Sequence, residues 1–65
     1  MIIVDLIKEL MYQQNKSVKE VATESGLPYN TIHNIVNNDV IPNPSDAQKI
    51  LKVLGVSLEE VLSLY

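Results

Sequence analysis

Neither cysteine nor tryptophan occurs in this sequence, and arginine is absent as well. Without cysteine there is no disulfide framework and no thiolate metal site, so stability must come from packing alone. That suits a reducing compartment, and a cytoplasmic location is expected. The apolar runs are only a few residues long, far below the ~20 needed to span a bilayer. Met1–Val4 is followed at once by Asp5 with no basic flank, so no signal peptide and no membrane partner are expected. Five lysines face eight acidic residues, for a formal charge of −3. A global attraction to polyanions is thereby excluded, and any nucleic-acid role must rest on local geometry.

What remains is 65 residues with 46% apolar side chains, read as one domain over 1–65. A chain this short buries only ~60% of the surface that its unfolded form exposes, so the core must be regular. Residues 2–14 contain no Gly or Pro, and Ile3, Ile7, Leu10 and Gln14 recur at helical spacing with Leu6 beside them. Ser17-x-x-Glu20 is a capping box that opens a second helix, and Gly26 closes it in a left-handed conformation. Pro28 pushes Leu27 towards an extended shape and restarts the chain at or near the first position of a third helix. That helix fades at Asn37-Asn38, where Asn tolerates left-handed dihedrals, and a loop spans 38–42. Asn43 caps a fourth helix with Pro44 as its first residue, Ser45 with Gln48 being the competing choice. Gly55 ends it. A second capping box, Ser57-x-x-Glu60, opens a fifth helix that turns Leu58, Val61 and Leu62 inward. No segment alternates convincingly, and no hairpin signal occurs. The expected fold is all-α, five short helices.

Catalysis finds little support. His33 is the lone histidine and has no cysteine partner, and neither a G-x-S-x-G elbow nor a P-loop is present. One histidine cannot build a zinc site of three or four ligands. Glu59-Glu60 sits at a helix start, where the macrodipole favours acids for stability alone. No enzyme activity, cofactor, metal or small-molecule substrate is expected.

Ser17 to Asn38 is the informative stretch. Two short helices joined by a glycine turn form a helix-turn-helix unit, whose second helix can enter a DNA major groove. At helical spacing Ile32, Ile35 and Val36 share one face of the third helix. Asn30, His33, Asn34 and Asn37 occupy an arc of about 100° on the opposite face, with Tyr29 on its flank. Lys or Glu would solvate such a face better and favour helix more strongly. Asparagine offers a donor beside an acceptor, which matches adenine N6 and N7. The plain alternative is a polar helix end, since Asn also favours helix termini.

Ser17-Val18-Lys19-Glu20-Val21-Ala22, Gly26-Leu27, Thr31-Ile32, Pro42 and Leu54 to Leu62 together resemble the Cro/repressor (XRE-like) helix-turn-helix domain of phage and bacterial regulators. The likeness runs from about Ile3 to Leu62 without a gap. It implies a lambda-repressor-like fold of five helices in which the second and third form the reading unit, and dimers on paired half-sites of double-stranded DNA. The base-contacting positions it implies are Tyr29, Asn30, His33 and Asn34. Phosphate contacts are implied at Ser17, Val18, Thr31, Asn37 and Asn38, and Lys16 and Lys19 flank the same helix start. Lys8, Lys49 and Lys52 read as solvated surface.

The departures from that family are specific. Val18 stands where glutamine is usual, Tyr29 where Arg or Gln is frequent, and Asn38 where Gly is frequent. Met11 and Val36 occupy the places of a buried Arg–Glu pair. Losing one partner would strand a charge, whereas losing both can be neutral or stabilising. Met11 and Val36 are therefore expected to be buried and in contact. Leu64 and Tyr65 exceed what a five-helix core needs, which suits a homodimer through the C-terminal helix or a terminus folded back on the first helix. Two functions follow: a DNA-binding transcriptional repressor, or a protein-interaction module on the same fold, such as an antirepressor or a toxin-partnering regulator. Zero arginine and net −3 favour the second; the amide-rich face and the turn spacing favour the first.

Overall fold

In the computed structural model, which describes residues 2–57 and Glu59, the chain forms four helices and no strand among those residues. These are α1 (Ile3–Gln14), α2 (Val18–Ser25), α3 (Tyr29–Asn38) and α4 (Pro44–Val53). The all-α class expected from the sequence is the class observed. The fifth helix expected from Ser57 onward, together with Leu64 and Tyr65, lies outside the described residues apart from Ser57 and Glu59.

Local chemistry sets the starts of α2 and α4 and the ends of the first three helices. The Ser17 hydroxyl accepts from the Glu20 amide at 3.1 Å, and the Glu20 carboxylate accepts from the Ser17 amide at 3.2 Å, closing the capping box of α2. Asn43 Oδ1 accepts from the Asp46 amide at 2.8 Å with Pro44 in the first turn, so Asn43 prevails over Ser45 as the cap of α4. Left-handed residues end the first three helices: Asn15 (φ 55°), Gly26 (φ 75°) and Asp39 (φ 54°). After α4, Leu54 is the cap and Gly55 takes φ 81°.

Pro28 stands immediately before the first residue of α3, as its cap with ψ 144°, in keeping with the place expected for it. The far end of α3 differs from the expectation. The same helix includes Asn37 and Asn38 and turns left-handed one residue later, at Asp39. Asp tolerates that conformation as Asn does, and the Asp39 carboxylate pairs there with the Lys8 ammonium of α1.

The core joins all four helices. Val4, Ile7 and Met11 from α1 meet Val21 and Ala22 from α2, Ile32 and Ile35 from α3, and Ile50, Leu51 and Leu54 at α4. Helix α2 packs on both α3 and α4, and α1 packs on α3. Burying a side chain such as Ile32 or Ile35 fully contributes about 1.5–3 kcal/mol, so these contacts fix the rotation of α3. Met11 is buried as expected, whereas Val36 is only half-buried at the margin of the same cluster. No buried side-chain nitrogen or oxygen among the described residues lacks a partner.

Candidate nucleic-acid interface

The turn between α2 and α3 is built from backbone. The amides of Gly26 and Leu27 both return to the Ala22 carbonyl, at 3.0 and 3.2 Å. Ser25 Oγ donates to the same carbonyl at 3.2 Å. Only a residue that accepts positive φ can sit at position 26, which is why glycine marks the turn. Leu27 then tucks against the core and Pro28 leads into α3.

With Ile32 and Ile35 inward, α3 turns the four implied base-contacting residues outward together. Tyr29, Asn30 and Asn34 are exposed and His33 is half-buried. The Tyr29 and His33 rings stack with centroids 5.9 Å apart and 29° between planes. No residue of α3 carries a formal charge when His33 is neutral. The amides are not equivalent. Asn38 Nδ2 donates to Asn34 Oδ1 at 2.9 Å, and Asn37 Nδ2 donates to the His33 carbonyl at 3.2 Å. The partners in both pairs and in the ring stack are four residues apart, one helical turn, which brings them within reach but does not say which of them will bond.

The residues considered for phosphate fall in two places. Lys16, Ser17, Val18 and Lys19 gather at the start of α2, while Asn37 and Asn38 lie at the end of α3. Thr31 is half-buried in the first turn of α3. Ser17 is occupied as the cap, and the Val18 side chain packs against the core. The first-turn amides of Val18 and Lys19 have no acceptor within the helix, as at every helix start. Lys19 is exposed and makes no ion pair among the described residues. Lys16 instead holds Glu24 at 2.6 Å, an interaction across α2 that the sequence does not announce. Lys8, read from the sequence as solvated surface, is engaged by Asp39, and Lys49 and Lys52 are exposed on α4. Among the described residues no group of three or more His, Cys, Asp or Glu side chains could hold a metal ion. No helix among them is long and apolar enough to cross a membrane.

Comparison with known proteins adds the family. A family model described as helix-turn-helix matches residues 7–61. Similar curated proteins are the HTH-type transcriptional regulators PuuR of Escherichia coli (strain K12) and of Shigella flexneri. Each is 40% identical over 57 residues, which cover 88% of this chain and 31% of the relative. The chain thus spans less than a third of the length of the curated relatives it matches. No solved structure matches it significantly.

Proposed function

The chain belongs to the helix-turn-helix family of DNA-binding transcriptional regulators and not to an enzyme family, and on that premise we propose that it is a sequence-specific repressor acting on operator DNA in the cytoplasm. The observation that carries this reading is the outer face of α3. Tyr29, Asn30, His33 and Asn34 stand together there without formal charge, on a helix whose rotation is fixed by Ile32 and Ile35. Such a face is poor at solvating a helix and well suited to base edges.

In this reading α3 lies in the major groove, and the start of α2 abuts a phosphate. The amides of Val18 and Lys19 and the Lys19 ammonium supply donors that fix register without reading sequence. Asn30 pairs with adenine N6 and N7, His33 meets a base edge or phosphate, and Tyr29 meets a thymine methyl or phosphate. Two copies, joined through the C-terminal segment, place two reading helices on paired half-sites.

A protein-interaction module on the same fold is the second reading. Its support is the lysine inventory: with Lys8 held by Asp39 and Lys16 by Glu24, little free positive charge faces a duplex. An electrophoretic shift at low salt, using the host's upstream DNA and duplexes enriched from a random library, separates the two. A retarded band that survives competition by random duplex and weakens with single-base changes supports the repressor. Failure to retard or enrich any duplex, with the protein folded, would hand the function to the second reading.

A further inference from the structure

The amide-rich face of α3 contains a division of labour. Asn30 has no side-chain hydrogen bond among the described residues, so its amide can swing to present donor and acceptor together. Asn34 is in a different condition. Its Oδ1 accepts from Asn38 Nδ2 at 2.9 Å, one turn further along the same helix. That bond draws the oxygen towards the following turn, and since the amide is planar it leaves the two N–H groups of Asn34 as the part without a partner among the described residues. Asn37 does not disturb this arrangement, because its own amide is spent on the His33 carbonyl.

We propose that Asn38 is a positioning residue that sets the base preference of Asn34, making Asn34 a donor-only reader of guanine while Asn30 reads adenine. The inference rests on the DNA-reading role proposed above. Guanine presents two acceptors, N7 and O6, to the major groove, whereas adenine presents one acceptor and one donor. The engaged oxygen keeps a second lone pair, but an oxygen held towards the next turn is poorly placed to lie beside its own N–H group on a base edge, so the side chain matches the first pattern better than the second. The same helix face therefore distinguishes two purines using one residue type, and the distinction lies in a residue that need not touch DNA. The Asn38 side chain, for which family resemblance implies a phosphate contact, bonds instead to the preceding turn of its own helix on the exposed surface.

The test begins with the duplex enriched from a random library and the position at which Asn34→Ala abolishes discrimination. There the unaltered protein should favour guanine over adenine by about tenfold, within the range of one good base contact. Asn38→Ala releases the Asn34 oxygen and should bring the guanine-to-adenine ratio down to about two or less. Asn38→Asp goes further, since a carboxylate can only accept: it should capture the Asn34 N–H groups, turn the oxygen outward and favour adenine. Added negative charge weakens binding to all sequences alike and cancels in the ratio. Asn37→Ala should leave the ratio unchanged whatever it does to overall affinity, since a phosphate contact reads no sequence, and melting curves check that each variant is folded. Adenine at this position with the unaltered protein, or an unchanged ratio in both Asn38 variants, would overturn the proposal. So would an equal shift in Asn37→Ala, which would trace the effect to a loosened helix end. A protein that enriches no duplex at all fails the DNA-reading role itself, and with it this inference; selective binding with an unresponsive ratio fails this inference alone.

Discussion

Gln14, the last residue of α1, donates from Nε2 to the carbonyl of Leu54 at 2.7 Å and so ties the end of the first helix to the end of the fourth. The bond is partly buried and spans 40 residues of sequence. A helix ends with carbonyls that its own amides cannot reach, and here a side chain from another helix satisfies one of them. Gln14→Met keeps the apolar stem and removes the donor. It should destabilise the fold by about 1–2 kcal/mol, the cost of leaving a partly buried acceptor unpaired. Gln13→Met is the control, because Gln13 bonds only Glu9 on the exposed side of α1 at 3.2 Å, and it should change stability by less than about 0.5 kcal/mol. Urea denaturation of both variants decides; equal midpoints would show the Gln14 bond to be inconsequential.

Gly26 isolates a backbone effect. A methyl group added at its α-carbon would meet nothing within 4 Å, yet its φ of 75° is unfavourable for any L side chain. Gly26→Ala should therefore cost about 1–2 kcal/mol through strain alone. Chemical denaturation should show the midpoint falling with an unchanged slope, since the surface exposed on unfolding is the same. A stability equal to that of the unaltered protein would mean the turn relaxes to negative φ.

These two sites mark what local sequence reveals and what it hides. The Ser17–Glu20 capping box, Asn43 with Asp46, and the turn at Gly26 were legible because each uses residues within one helical turn of one another. Gln14 was read as the end of an apolar stripe, since nothing in its neighbourhood indicates a partner 40 residues away. The same limit hid Lys8 with Asp39 and Lys16 with Glu24, so one lysine read as solvated surface and one read as a phosphate contact turn out to be engaged. On α3 the face was legible and the hydrogen bonds among its amides were not. Periodicity tells which side a residue occupies but not which neighbour its rotamer chooses.

Met11 gives a core prediction. It is buried at 6% exposure in the cluster that also receives Ile32 and Ile35 from α3, and Val36 packs at the margin of that cluster. Met11→Arg places a charge among apolar side chains with no acid at position 36 to receive it. A loss of roughly 2–4 kcal/mol follows, unless the guanidinium escapes to solvent along its stem. Thermal melting reads this directly. An unchanged midpoint would mean that position 11 opens to water more readily than its burial implies.

The final prediction concerns how much of the DNA affinity is electrostatic. Lys19 is unpaired among the described residues, and Lys16 is held by Glu24 with the side chains 23% and 44% exposed. Surface ion pairs of this kind contribute only ~0–1 kcal/mol, so a phosphate placed beside Lys16 can compete with Glu24 for it. Two lysines per subunit give about four phosphate contacts in a dimer, hence a log–log salt slope of roughly −3 to −4, shallow for this kind of regulator. Lys19→Ala should weaken binding to all sequences alike and flatten that slope by about one per subunit. Glu24→Gln should strengthen binding most at low salt, since it both frees Lys16 and removes a negative charge near the backbone. The two changes locate the phosphate contact by pairing. If Lys16→Ala has little effect in the unaltered protein but costs several-fold in the Glu24→Gln background, the lysine stays with its carboxylate on DNA. The slope should then be nearer −2, the value for two contacts per dimer. If Lys16→Ala costs the same in both backgrounds, the lysine leaves Glu24 for the phosphate whenever DNA is bound, which is the outcome expected from the small energy of an exposed pair.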